Sequence, residues 1–192
     1  MRKEYRFSVQ GTPYYDENFN YATIIPINRI LMVRYNVALD IMEVIKKRDT
    51  LFMNRKNKNY IVKLNKGNVV YKILEHVESA SKDKLGYYVQ LTTGKKVKLY
   101  RKDRRKFVEI KRTSYGKIEE NIAKYKEQKS EFCIEYGNNG TAVKLPRKKK
   151  TVIKLFASKE KEIKAFIKKN EIKVTKEKDF IKFITYANTV SK

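Results

Sequence analysis

The sequence has few of the residues from which metal sites, disulfides and catalytic triads are built. Among its 192 residues there is one cysteine, Cys133, and one histidine, His76. A single cysteine excludes an intramolecular disulfide framework, and a single histidine excludes a two-histidine metal site. No Walker loop, dinucleotide-binding fingerprint, nucleophile elbow or zinc-finger spacing occurs. The sequence therefore argues against an enzyme and predicts no cofactor and no metal.

Long apolar runs are also missing. No run approaches the ~18–20 residues that a membrane-spanning helix needs, so we expect no transmembrane segment. The first residues lead directly into folded-looking sequence, without the apolar core and small-residue cleavage site of a secretory signal. Either the protein is intracellular or a signal has been removed, and the sequence leaves both alternatives open.

Acidic residues are scarce relative to basic ones, with 21 against 46 and a formal net charge of +25. Hydrophobic residues still make up 41%, which excludes a disordered polyelectrolyte. The basic excess lies in residues 46–66, 95–112 and 144–178, which carry +7, +8 and +10. Such a surface attracts phosphates, lipid headgroups or acidic polymers. Lysine supplies 35 of the 46 cations, and a low-GC genome would produce the same excess.

Only three prolines and seven glycines interrupt a series of short β-rich runs. The runs of strand length are residues 21–25, 30–35, 41–45, 51–53, 60–64, 69–74, 87–91, 97–100, 107–110, 132–136 and 142–145. Residues 65–68, 92–95 and 137–140 have the composition of hairpin turns. A strand every 8–12 residues or so is typical of an antiparallel sheet, sandwich or open barrel.

After Pro146 the pattern changes to a helical period. Residues 151–157 predict a short helix, and Ser158 and Thr175 are the predicted N-caps of two more. The predicted apolar faces of these two helices are Ile163, Phe166 and Ile167, then Phe180, Ile181, Phe183, Ile184 and Ala187. We therefore predict an α+β protein, with a β-rich domain at 1–145 and a small three-helix domain or appendage at 146–192. The helices would pack on the sheet or on one another.

Few side chains could carry catalysis. His76 could act as a general base, but its position near a strand end predicts a surface residue. Cys133 lies inside an apolar run, which predicts a small core residue rather than a nucleophile. The close carboxylates of the N-terminal part are Asp16 with Glu17 and Asp40 with Glu43. Turn chemistry explains the first pair, and no spacing forces the second pair together.

Two basic segments are candidates for a contact surface. Residues 100–107 are interpreted as a basic connection between two strands, with aromatic residues at its ends as in single-strand-binding grooves. Residues 144–150 are interpreted as the joint between sheet and helices. The candidate contacts for an anion or partner are Lys95, Lys96, Lys98, Arg101, Lys102, Arg104, Arg105, Lys106, Arg147, Lys148, Lys149 and Lys150. The plainer alternative is a solvated hairpin and a linker, since no RNA-recognition signature or recognition helix is visible.

Four groups of residues carry a family resemblance from about residue 8 to residue 190. They are Gly11-Thr12-Pro13-Tyr14 with Asn18-Phe19, Val33-Arg34-Tyr35-Asn36 with Asp40, Glu43 and Val44, Gly86-Tyr87-Tyr88-Val89 with Lys106-Phe107-Val108-Glu109, and residues 153–156, 162–170 and 180–184. In these segments the chain resembles a family of uncharacterised, usually exported β-rich proteins of the Bacteroidetes group with a lysine-rich helical C-terminus. The resemblance implies a β-sheet body, a helical C-terminus and an envelope location, and it implies no activity.

Our leading hypothesis is a non-enzymatic binding or accessory protein of the cell envelope, periplasmic or associated with the outer membrane. Its basic surface or a sheet edge would contact a protein partner or an anionic envelope polymer. The alternative is an intracellular or phage-encoded nucleic-acid-binding protein, which would be cytoplasmic.

Overall fold

The computed structural model describes residues 9–77, 84–109 and 123–190. In these residues the strands are β1 (Asn20–Ile25), β2 (Arg29–Asn36), β3 (Ile41–Lys46), β4 (Asp49–Phe52), β5 (Ile61–Leu64), β6 (Val70–His76), β7 (Leu85–Gln90), β8 (Val97–Val108), β9 (Lys124–Tyr136) and β10 (Thr141–Lys144). The helices are α1 (Lys149–Lys154), α2 (Glu160–Lys169) and α3 (Glu177–Val190), with a 3₁₀ turn at Ala157–Lys159. The predicted α+β class is confirmed.

The described strands form one sheet in the order β10-β9-β8-β7-β6-β5-β1-β2-β3-β4, and each neighbouring pair is antiparallel. β10 also pairs in parallel with β6, where Thr141 lies opposite Glu75. This pairing closes β6 to β10 into a five-stranded barrel. β6 can hold three neighbours because the start of the strand pairs with β5 and its end pairs with β10.

The three predicted hairpin turns are confirmed, because they join β5 to β6, β7 to β8, and β9 to β10. Gly67 and Gly140 have φ values of +76° and +74°. Backbone in this left-handed region favours glycine, which has no Cβ to clash with the carbonyl. The turn composition therefore sets the antiparallel pairing at these points.

The two longest strands overturn one sequence prediction. Residues 100–107 are not a connection, because they lie inside β8. Residues 124–130, which the sequence did not predict as a strand, lie in its partner β9. Residue 110, the last of the predicted run 107–110, lies outside the described residues. The apolar alternation stops within β8 because charged side chains there bind partners on other elements, which sequence alternation does not show.

The helices pack on the barrel. Leu99 of β8 and Ile134 of β9 share one core with the inward faces of all three helices. The predicted stripe of α3 is confirmed, since Phe180, Phe183, Ile184 and Ala187 are buried. A second core lies inside the N-terminal strands and includes Val33, Tyr35 and Tyr71. The helices and the barrel share the first core. A domain boundary at residue 146 stays a prediction.

The helix starts differ from the predicted caps. Ser158 lies in the 3₁₀ turn, and α2 begins at Glu160 with no side-chain cap. The chain is already helical at Ser158, because the Lys159 amide donates to the Phe156 carbonyl at 2.9 Å. α3 begins at Glu177, two residues after Thr175.

One side chain of α3 completes the hydrogen bonding at the start of β8. Asn188 Oδ1 accepts hydrogen bonds from the amides of Lys96 (3.2 Å) and Val97 (3.1 Å). Asn188 Nδ2 donates to the carbonyls of Val97 (2.7 Å) and Ile184 (2.9 Å). Gly94 leaves the necessary space, because a Cβ there would collide with the Asn188 amide. The side chain thus takes the place of a strand neighbour.

We expect Asn188→Ala to lower the free energy of unfolding by about 1–3 kcal/mol, because it removes the partner of two strand amides. Urea unfolding followed by circular dichroism measures the change. Thr189→Ala, at the exposed neighbouring position, is the control and should stay within about 0.5 kcal/mol of the parent. Equal stability of the two variants would contradict this docking role.

Candidate binding surface

The two candidate catalytic residues lie inside the barrel wall. Cys133 is buried as predicted, and burial together with the nearby Glu131 carboxylate raises the pKa of its thiol to about 12. A thiol with such a pKa is a poor nucleophile at neutral pH. The prediction that His76 lies at the surface is wrong, because β10 pairs with the end of β6 and leaves His76 only 8% exposed. His76 Nε2 lies 3.9 Å from Glu131 Oε2.

The N-terminal carboxylates bind separate partners rather than one another. Asp40 Oδ1 accepts a hydrogen bond from the Tyr35 hydroxyl at 2.6 Å. Glu43 Oε2 is 2.7 Å from Arg34 Nη2. Asp16 accepts a hydrogen bond from the Asn18 amide at 2.9 Å, as its predicted turn role requires.

Within residues 9–77, 84–109 and 123–190, no group of three or more His, Cys, Asp or Glu side chains could hold a metal ion. No helix in the same ranges is long and apolar enough to cross a membrane.

The prediction that Lys102 contacts an outside partner is wrong, because Lys102 is buried and only 5% exposed. Its Nζ lies 2.6 Å from Asp40 Oδ2 and donates to the Tyr87 carbonyl at 2.9 Å. Burial lowers the pKa of Lys102, and the Asp40 carboxylate opposes that shift. Arg55 Nη1 also reaches Asp40 Oδ2, at 3.2 Å. This cluster of buried Lys102 with partly buried Asp40 and Arg55 joins the turn between β2 and β3 to the barrel.

Four more predicted contact residues use their side chains inside the protein and are only partly exposed. Arg101 pairs with Asp103 and Glu177, Arg104 pairs with Glu131, Arg105 donates to the carbonyls of Thr12 and Tyr14, and Lys98 donates to the Gly137 carbonyl. These cations fasten β8 to α3, to β9, to the N-terminal segment and to the turn after β9. Their contribution to an external surface is therefore smaller than the sequence suggested.

The other predicted contact residues are exposed. They are Lys95, Lys96, Lys106, Arg147, Lys148, Lys149 and Lys150, and none has an ion pair with another described residue. Lys106 lies directly opposite Lys126 in the β8–β9 pair. Like charges at opposed positions repel one another, and a bound anion would relieve this repulsion.

The largest set of such cations covers the C-terminal helices, and we call it the lysine surface. It consists of Arg147, Lys148, Lys149, Lys150, Lys154, Lys161, Lys164, Lys168, Lys169, Lys173, Lys176, Lys178 and Lys182. All are exposed, and the exposed acidic residues among them are Glu160, Glu162 and Glu171. Sequence reasoning singled out only residues 147–150 here. The lysines of α2 could have been found from its helical period, because they lie on the polar face opposite Ile163 and Ile167.

Within the described residues, the helices that carry the lysine surface have no exposed aromatic ring of their own. Tyr136 of β9, which is 37% exposed, lies beside them and donates to the Leu155 carbonyl at 3.3 Å. Phe166 and Tyr186 stack on one another with centroids 3.9 Å apart. Phe180 and Phe183 lie in the core. The helices can therefore offer point charges but no platforms of their own on which bases could stack.

β4 forms an open edge of the sheet. All four residues of β4 are exposed, including Phe52 at 64%. An exposed edge can pair with an added strand, so β4 is a second candidate contact. Comparisons of the chain with protein-family models, with curated proteins and with solved structures find no match.

Proposed function

We propose that the protein is a non-enzymatic binding protein that holds an anionic partner against the lysine surface, with the barrel as its scaffold. The observation that carries this proposal is the division of the cations. Those of β8 are mostly consumed by internal ion pairs and hydrogen bonds, whereas those of the helices face solvent.

The chemistry of the surface indicates what kind of partner it fits. Lysine is a compact, strongly hydrated point charge, whereas arginine presents a fork that matches one carboxylate or phosphate. The lysine surface contains a single arginine, Arg147. Such a surface favours an extended anion with many charges, such as an acidic polymer or an acidic protein face, over a single small ion.

The envelope location implied by the family resemblance belongs to the same proposal. A periplasmic or outer-membrane-associated protein would meet anionic envelope polymers and acidic protein loops. Nucleic acid is the competing partner class if the protein works inside the cell. The lack of exposed rings on the helices argues against recognition of single-stranded nucleic acid there. The nucleic acid to compare with an acidic polymer is therefore a duplex, which lysines can contact through its phosphates.

The experiment is fluorescence anisotropy with labelled polyglutamate and with a labelled DNA duplex, each at several salt concentrations. Lys161, Lys164 and Lys168 form one exposed stripe on α2, and we reverse all three to Glu. We expect this triple variant to bind polyglutamate at least tenfold more weakly. The dependence of log affinity on log salt should also become shallower, because fewer counterions are released on binding.

A matched variant separates the lysine surface from net charge. Lys46, Lys56 and Lys63 are exposed on the N-terminal strands and their connections, and reversing them removes the same charge. We expect this control to retain most of the affinity. Equal losses in the two triple variants would overturn the assignment of the surface. Tighter binding of the duplex than of polyglutamate at equal salt would replace the partner class with nucleic acid.

A further inference from the structure

A cavity of about 200 Å³ opens at the N-terminal strands, and no residue of the lysine surface lines it. Its floor is apolar and includes Val33, Met42 and Leu64, together with the rings of Tyr35 and Tyr71. These two rings are 5.1 Å apart between centroids. The rim is polar and comes from the loop before β1 and the turn after β5, with Tyr15, Asp16, Asn20 and Lys66. An apolar floor with a few convergent polar groups is the usual form of a small-molecule site.

The charges around the cavity balance. Asp16 carries an ionised carboxylate, because hydrogen bonds from the Asn18 amide and from Asn20 lower its pKa, and Lys66 contributes to the same shift. Arg34 also lines the cavity, but its guanidinium is paired with Glu43 at 2.7 Å. In a protein of net charge +25, this cavity is nearly neutral. It therefore selects a ligand by hydrogen bonding and shape rather than by charge.

One hydroxyl in the lining of the cavity has no partner among the described residues. Tyr71 is 2% exposed, yet its hydroxyl makes no hydrogen bond to another described residue. A hydroxyl that opens into the cavity is available to solvent or to a ligand, as a donor and as an acceptor. Tyr71 lines the cavity together with Tyr15 and Asp16 of the polar rim.

The rim offers donors and acceptors side by side. The Tyr15 hydroxyl accepts a hydrogen bond from Arg101 at 3.4 Å and keeps its own proton to donate. Asn20 uses its Nδ2 to donate to Asp16 Oδ2 and to the Asn18 carbonyl, which leaves its Oδ1 as an acceptor. A ligand that suits this rim must both donate and accept at neighbouring atoms.

We propose that this cavity binds one neutral sugar ring. Each sugar hydroxyl both donates and accepts, and the C–H face of a pyranose packs against aromatic rings such as that of Tyr15, which is 52% exposed. The volume lies below the ~300 Å³ at which drug-sized pockets begin, so it suits a single ring. This site and the lysine surface use different residues, so each proposal can fail without the other.

The test is an NMR titration of the full chain with four neutral probes, the methyl glycosides of glucose, galactose, mannose and N-acetylglucosamine. We expect at least one to give saturable shifts in the amides of residues 15–20 and 64–71, with a dissociation constant in the millimolar range. Cyclohexanol, an apolar ring with one hydroxyl, is the non-sugar control and should bind much more weakly.

Two variants test the contacts. Tyr71→Phe removes only the unpartnered hydroxyl, so it should fold normally and bind several-fold more weakly. Tyr15→Ala should weaken binding about tenfold by removing the exposed ring. Tyr21→Ala is the matched control, because Tyr21 is an exposed tyrosine on the opposite face of β1 from Asn20. Absence of saturable shifts with all four glycosides, equal binding of cyclohexanol, or losses no larger than that of Tyr21→Ala would overturn the proposal.

Discussion

Asp40→Asn is expected to lower the free energy of unfolding by about 3 kcal/mol at neutral pH. Asparagine has the shape of aspartate and tolerates the left-handed backbone at this position, where φ is +55°. The substitution therefore removes charge with little change in packing. Lys102, which is 5% exposed, then keeps its positive charge without an anion beside it. Removing one partner of a buried ion pair typically costs about 3–5 kcal/mol.

The surroundings of the pair leave Lys102 little room to escape. A Cβ placed on Gly86 would lie 2.6 Å from Lys102 Nζ and 2.8 Å from Asp40 Oδ2, so the barrel backbone closes over the pair. Tyr88 covers another side, with its ring centroid 5.0 Å from Lys102 Nζ. Because the Lys102 side chain is only 6% exposed in this packing, the variant bears a cost for the unpaired charge.

The pH dependence of the variant provides a second measurement. Burial already holds the pKa of Lys102 below its ordinary value of 10.5, and loss of Asp40 removes the strongest opposing influence. The unfolded chain then binds more protons than the folded protein, so stability rises with pH between the folded and unfolded pKa values. We expect the deficit of Asp40→Asn to shrink as the pH is raised from 7 towards 10.

Urea unfolding at several pH values measures both effects. Asp49→Asn, at an exposed position of β4, makes the same chemical change without a buried partner and should cost less than about 0.5 kcal/mol. Similar stability of the two variants at pH 7 would contradict a structural role for the Asp40–Lys102 pair.

Glu135→Ala is expected to be at least as damaging, with a loss of about 4 kcal/mol. Glu135 is fully buried, and its two oxygens lie 2.9 and 3.0 Å from Lys72 Nζ. They also accept hydrogen bonds from the Tyr100 hydroxyl at 2.7 Å and from the Gly140 amide at 2.9 Å. The substitution leaves these three donors unpaired in a cavity.

Acid should reduce the difference between wild type and Glu135→Ala. Burial alone would raise the pKa of Glu135, but hydrogen bonds from Tyr100, Lys72 and the Gly140 amide outweigh it and hold the pKa below its ordinary value of 4.5. The stability contributed by the ionised form is therefore complete above pH 4.5 and is lost as the pH falls through the folded pKa. Glu127→Ala, exposed on the same strand, is the control for thermal and urea unfolding. A Glu135→Ala protein as stable as this control would refute the role of the carboxylate.

The features that the sequence predicts correctly are local ones. The turn at residues 65–68 and the buried stripe of α3 follow from residues a few positions apart, where backbone preference and helical period act directly. The prediction that Ser158 caps α2 fails because Ser158 lies within the 3₁₀ turn Ala157–Lys159.

The candidate contacts were harder to predict because their environment depends on distant partners. Lys72 and Glu135 are 63 residues apart in sequence, and nothing near either residue shows that they pair. The same holds for Lys102 and Asp40, so a basic run that suggested an external surface proved partly internal. The charge of residues 144–178 indicated the lysine surface only in outline, and the cavity between Tyr71 and Asp16 exists only once the strands have assembled.

β6 pairs with three strands and therefore belongs both to the N-terminal part of the sheet (β1 to β5) and to the barrel (β6 to β10). The start of the strand belongs to the N-terminal sheet, and its end closes the barrel. Without β6, both β5 and β10 would lose a neighbour, and each core would be open on one side. The Asp40–Lys102 pair adds a second tie between the same two parts. Neither part can therefore loosen while the other stays intact, which makes the whole sheet one cooperative unit rather than two modules in series.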